Sequence, residues 1–180
     1  MSDGRASVAF IGPMGSGKTS IARRVAKRLD VPFADTDAMV VAEHGPIADF
    51  FSEHGEAAFR RVERDAVVDA LTRGGIVALG GGAVVTDETR EALAHHHVVL
   101  LTVSERTIRS RIRGAKRPLL NAADPIAEWS RIAAERRPIY EALADVTFDT
   151  SSGPLRLVVD SAAEWAADRL GIAIDRRDTA

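Results

Sequence analysis

The sequence predicts an α/β sandwich, a parallel sheet covered on both faces by helices, and three observations carry that expectation. Short apolar runs alternate with longer stretches of helical period along the 180 residues, as in strands joined by crossover helices. Most of the runs lack polar–apolar alternation, as strands buried on both faces do. The first run, Val8-Ala9-Phe10-Ile11, leads directly into Gly-Pro-Met-Gly-Ser-Gly-Lys-Thr at 12–19 and then into an amphipathic stretch, the strand–loop–helix setting of a Walker A motif.

The elements follow in order. The strand at 8–11 feeds the loop, and a helix at 18–29 stops at Leu29-Asp30. A short strand at 32–34 precedes Asp35-Thr36-Asp37. A helix at 56–71 ends in Thr72-Arg73-Gly74-Gly75, and the strand at 76–79 runs into Gly80-Gly81-Gly82. Asp87 is placed as N-cap of a helix at 87–94, and Ser104, after the strand at 98–103, as N-cap of a helix at 105–113. Helices at 125–143 and 154–170 flank the last strand, 146–148. The segment 114–124, Gly-Ala-Lys-Arg-Pro-Leu-Leu-Asn-Ala-Ala-Asp, has neither period and carries positive charge at its start, which reads as an active-site lid. The ends, 1–5 and 175–180, read as frayed.

Composition narrows the function classes. A chain of this length with 46% hydrophobic residues suffices for one domain with a full core. The net charge is −2 with both signs interspersed, which suggests neither a nucleic-acid footprint nor a membrane-surface helix. There is no cysteine, so disulfides, thiolate metal sites and thiol catalysis are excluded. A polar Met1–Ser7 stretch and the lack of any run of membrane-span length predict a soluble cytoplasmic protein.

The chemistry begins at the loop. Gly12, Gly15 and Gly17 let backbone N–H groups converge on phosphate oxygens at a helix N-terminus. Lys18 reaches the β/γ-phosphates and the Thr19 hydroxyl ligates Mg²⁺. Lys18 is one of three lysines in an arginine-rich chain. No glutamine exists to orient an attacking water, the only asparagine is Asn121, and neither 76–79 nor 98–103 ends in an acid. The missing carboxylates are therefore sought at Asp35 and Asp37, spaced i, i+2 so as to project to one side of an extended segment beyond a strand's carboxyl end. Asp35 then holds Mg²⁺ through water, and Asp37 accepts from an attacking hydroxyl. The glycine triplet allows close approach of a ligand, and one arginine of each pair, Arg60-Arg61 and Arg136-Arg137, suits a carboxylate if turned inward.

On these stretches the chain resembles the shikimate kinase family: Gly12 to Thr19, Asp35-Thr-Asp37, Ile47-Ala-Asp-Phe-Phe51, Gly55-Glu56 with Phe59-Arg60-Arg61-Val-Glu63, Leu79-Gly-Gly-Gly-Ala83, Arg117-Pro-Leu-Leu120 and Arg136-Arg-Pro-x-Tyr140. The resemblance implies a nucleoside-monophosphate-kinase-like fold with a five-stranded parallel sheet, and transfer of the ATP γ-phosphate to the 3-hydroxyl of shikimate with Mg²⁺. It implies a nucleotide-binding set of Gly15, Ser16, Gly17, Lys18, Thr19, Ser20 and Arg117. It places Asp37 at the reacting hydroxyl, Arg60 and Arg136 on the substrate carboxylate, Gly81 and Gly82 at the ring hydroxyls, and Thr19 and Asp35 at the metal. Lys18, Asp37 and Arg117 form the catalytic set, with Arg117 closing with the lid; Phe51 and Phe59 wall the substrate pocket. A monomer is expected from the family, and no nucleic-acid or membrane partner is expected from the charge balance.

One region departs from the family's pattern. Where an arginine often packs on adenine, this chain has Ser151-Ser152-Gly153-Pro154, which leaves Arg109, Arg111, Arg113 and Arg156 as candidates. His95-His96-His97 is read as a solvated helix end rather than a metal site. Two other readings stay open: a kinase for another small hydroxy acid such as gluconate, and a nucleotide-binding regulatory module without catalysis.

Overall fold

The computed structural model describes residues 6–112 and 124–173. Arg113, Arg117, the ends 1–5 and 175–180 expected to fray, and all of the lid candidate except Asp124 lie outside the described residues. The elements run β1 (Ser7–Ile11), α1 (Lys18–Leu29), β2 (Phe33–Asp35), α2 (Thr36–His44), α3 (Ile47–Arg73), β3 (Gly75–Ala78), a 3₁₀ turn (Ala83–Val85), α4 (Asp87–Leu93), β4 (His97–Thr102), α5 (Glu105–Ile112), α6 (Pro125–Leu143), β5 (Val146–Asp149) and α7 (Leu155–Leu170).

The sheet has five parallel strands in the order β2-β3-β1-β4-β5. All five residues of central β1 are buried, which is why 8–11 reads as an unbroken apolar run. The edge strand β5 alternates between half-buried and exposed positions, the signature of a strand with one covered face. One core layer packs Phe10, Ile21, Val25, Ile76 and Leu101 under α1 and α7. The other packs Ile11, Val67, Leu71, Leu79, Leu93 and Tyr140 under α3, α4 and α6.

Four sequence expectations are corrected. Asp35-Thr36-Asp37 is not an extended segment: Asp35 ends β2 and caps α2, its Oδ1 accepting from Ala38 N at 3.0 Å, while Asp37 sits in the first helical turn. The helix expected at 56–71 begins at Ile47 and bends at Gly55, whose φ of 79° is closed to most side chains. At α4 the cap position is Thr86, and Asp87 is the first helical residue. The histidine run is only partly solvated, since His96 Nδ1 accepts from Ser7 N at 3.3 Å and His97 meets Trp165 edge-on at 6.1 Å.

Candidate active site

The phosphate loop lies between β1 and α1, at the carboxyl edge of the sheet. Gly12, Gly15 and Gly17 all have positive φ. A methyl group on Gly12 would collide with the Leu101 carbonyl, and one on Gly15 would lie 2.6 Å from Ile108 Cδ1. The loop is therefore fixed by space as well as by torsion. Lys18 Nζ curls over it, donating to Gly12 O at 2.9 Å and Pro13 O at 3.1 Å. Thr19 and Ser20 are exposed in the first turn of α1, and Thr19 Oγ1 donates to Asp35 Oδ2 at 2.6 Å. A hydroxyl and a carboxylate this close present hard oxygen donors of the kind Mg²⁺ takes. Among the described residues no group of three or more His, Asp or Glu side chains is placed to hold a metal ion.

The glycine triplet after β3 forms the floor opposite the loop. Gly80 N donates to the buried Thr36 Oγ1 at 3.1 Å, which ties the triplet to the end of β2. A side chain on each glycine would approach a different one of the candidate residues. A methyl on Gly80 would collide with Asp37 Oδ1, one on Gly81 would sit 3.8 Å from Lys18 Nζ, and one on Gly82 would sit 2.7 Å from the Arg60 guanidinium. The Gly81 carbonyl accepts from Arg136 at 3.1 Å and from Tyr140 Oη at 2.6 Å. Lys18, Asp37, Arg60 and Arg136 thus surround a surface made of backbone.

Of each arginine pair, one member turns inward. Arg60 and Arg136 are partly buried, and Arg61 and Arg137 are exposed. Arg60 donates to Glu63 Oε2 at 2.5 Å and to Glu56 Oε1 at 3.3 Å, lies over the Phe59 ring at 5.4 Å, and has a buried Nε with no partner. Phe59 meets Phe51 at 5.8 Å, forming an aromatic wall beside it. Burial pushes the Glu63 carboxyl above the ordinary carboxylate range; Arg60 opposes that shift and the neighbouring Asp37 charge adds to it. Burial likewise raises the Tyr140 hydroxyl, which keeps the proton it donates to Gly81.

The adenine candidates separate by surroundings. Arg109 pairs with Glu105 at 2.5 Å and Arg156 with Asp160 at 3.3 Å, both at the exposed surface. Arg111 instead reaches the phosphate loop, donating to Gly15 O at 2.7 Å and to Thr150 O at 2.8 Å.

Sequence reasoning assigned no role to Thr36, Glu63, Tyr140, Trp129 or Thr150. Signals existed for two of them. Glu63 stands one helical turn after Arg60, and Tyr140 one turn after Arg136, spacings that put each pair on one helix face.

With this geometry in place, comparison with known proteins is specific. A family model described as shikimate kinase matches residues 14–167. The shikimate kinase of Salinispora arenicola is 45% identical over 162 residues, covering 88% of this chain and 96% of that protein. The shikimate kinase of Thermobifida fusca is 41% identical over 169 residues, covering 92% and 95%. Among solved structures, shikimate kinase from Acinetobacter baumannii in complex with shikimate superposes with a TM-score of 0.83 at 28% identity, covering 91% of this chain and 94% of that one.

Proposed function

The chain belongs to the shikimate kinase family, and on that premise we propose that it transfers the γ-phosphate of ATP to the 3-hydroxyl of shikimate, giving shikimate 3-phosphate and ADP on the route to chorismate and the aromatic amino acids. It is an ATP-dependent kinase with the P-loop nucleoside-monophosphate-kinase fold. The observation that carries the acceptor reading is the glycine triplet, whose three residues adjoin Asp37, Lys18 and Arg60 in turn. Phosphoryl transfer asks little of a protein beyond alignment and charge compensation, and this arrangement supplies both over a few ångströms.

The nucleotide phosphates sit on the loop, held by the backbone of Gly15, Ser16 and Gly17, by the side chains of Lys18 and Thr19, and by Ser20 beside them. To reach them, Lys18 leaves the carbonyls of Gly12 and Pro13, two acceptors that hold it over the loop meanwhile. Thr19 and Asp35 would hold Mg²⁺, which when bound offsets phosphate charge. Asp37 accepts from the attacking hydroxyl and holds it in line. Arg60 and Arg136 take the substrate carboxylate, with the buried Nε of Arg60 as a donor in want of an acceptor. Gly81 and Gly82 face the ring, and Phe51 and Phe59 exclude water. Arg117, outside the described residues, completes the catalytic set. For adenine, Arg111 is favoured, because a guanidinium whose edge is held by backbone carbonyls can offer its flat face to a base.

The test is ADP release from ATP·Mg²⁺ with shikimate, with gluconate and with no acceptor. Turnover with shikimate alone is expected. Turnover with gluconate alone would overturn the acceptor, and nucleotide binding without acceptor-dependent turnover would favour a regulatory module.

A further inference from the structure

A phosphate loop that turns its N–H groups toward a ligand must turn its carbonyls outward. Partly buried carbonyls need donors, and here three consecutive ones obtain them from three different elements. Met14 O accepts from Trp129 Nε1 of α6 at 2.8 Å, Gly15 O from Arg111 of α5 at 2.7 Å, and Ser16 O lies 3.0 Å from the Thr150 hydroxyl after β5, whose one proton it shares with Thr102 O, also at 3.0 Å. These three residues lie 115, 96 and 134 positions away along the chain from the carbonyls they hold. Local sequence cannot produce such a set.

We propose that Trp129, Arg111 and Thr150 form an outer brace that holds the phosphate loop in its ATP-binding shape before ATP arrives, and that Trp129 is the positioning residue linking that brace to α6. The inference rests on the reading of the loop as the ATP site. Trp129 is 7% exposed and packs with Ile108 beside Met14, Val103, Ile126 and Ala133. Its ring also borders a cavity of about 210 Å³ shared with Pro13, Leu100 and Thr102. The indole N–H bond to Met14 O adds a directional tie to that packing. Arg136 and Tyr140 follow Trp129 by seven and eleven residues, on the same face of α6, and both bond Gly81 O. One helix face therefore sets the distance between the phosphate loop and the glycine floor.

Trp129→Phe retains an aromatic ring beside Ile108 and removes the donor. Loss of one buried hydrogen bond corresponds to about a fivefold change in an equilibrium, so the KM for ATP should rise about that much while the KM for shikimate stays within about twofold. Thr150→Val should act in the same direction through Ser16, and it carries the test should Trp129→Phe not fold. An unchanged KM for ATP with a lowered Tm would make these residues ordinary packing and overturn the proposal. In the unmodified protein the chain's two tryptophans give two indole N–H resonances in ¹⁵N spectra. The Trp129 indole hydrogen should already be protected from exchange with solvent before nucleotide is added and stay protected with ADP·Mg²⁺; rapid exchange without nucleotide counts against the brace. ATP dependence of the wild-type enzyme, measured alongside, separates failure of this inference from failure of the ATP reading.

Discussion

Arg60 and Glu63 are joined by a 2.5 Å bond one turn apart inside α3, with the Glu63 side chain 4% exposed and the Arg60 side chain 16% exposed. A pair this buried adds little net stability, but removing one member strands the charge of the other. Its clearest effect is directional. Glu63 holds the guanidinium against Gly82, where we propose that the acceptor carboxylate binds.

Glu63→Gln should therefore raise the KM for shikimate by about tenfold, the order of a lost charge-assisted bond, while the KM for ATP is unchanged. Steady-state kinetics with each substrate varied in turn checks this. Equal changes in both would mean that the substitution disturbs the whole site and not Arg60 alone.

Stability should also depend on pH through Glu63. Its carboxyl is raised in the folded state, chiefly by burial, so the folded chain binds more protons than the unfolded chain above the ordinary carboxylate range. Stability from this group is full below that range and declines as pH rises through the folded value. Thermal melts between about pH 4 and 7 should show Glu63→Gln losing part of the wild-type decline; an identical pH profile would sink the assignment.

Asp37→Asn should leave ADP·Mg²⁺ affinity within about twofold while kcat falls by about a hundredfold or more, the range of a positioned proton acceptor. Calorimetry for the nucleotide and turnover for the chemistry separate the two. Loss of nucleotide affinity instead would move Asp37 to the metal side of the site.

Lys18→Ala should cost several kcal/mol of transition-state stabilisation, as other electrostatic donors do, read as a fall in kcat/KM. Nearly normal turnover would reduce Lys18 to a strap across the Gly12 and Pro13 carbonyls.

Gly82→Ala should act on the acceptor side only. The added methyl meets the Arg60 guanidinium at 2.7 Å, which must swing away, so the KM for shikimate rises about as far as for Glu63→Gln. Unchanged kinetics would show that Arg60 can yield without leaving the substrate.

The sheet was legible in sequence because buried parallel strands write themselves as apolar runs: β1, β3, β4 and β5 fall within one residue of their expected positions. The segment α2 was not. Thr36, Asp37, Met39, Val40 and Val41 mix acids with β-branched residues and offer no clear stripe, and only Thr36 and Val40 are buried. The first half of α3 was hidden by Gly55, which breaks the period without ending the helix. Of the residues proposed for the site, Lys18, Asp35, Arg60 and the glycine triplet could be named from sequence because phosphate and carboxylate chemistry calls for those residue types at those spacings. Thr36, Trp129 and Thr150 could not, since each serves a backbone group far along the chain, and an ordinary threonine or core tryptophan looks the same in sequence.

The chain from Asp35 to Gly82 leaves the sheet at β2, folds as α2 and the bent α3, and returns through β3 to the glycine floor. Among the described residues, the groups we propose for the acceptor come, Arg136 apart, from this one uninterrupted stretch, whereas the phosphate loop follows the central strand and is braced from the far side. Acceptor choice is thereby separable from phosphate chemistry in inheritance: a descendant could acquire a new hydroxylic substrate by rewriting the run that follows Asp35 and a single helix position, leaving the ATP-handling half of the molecule untouched.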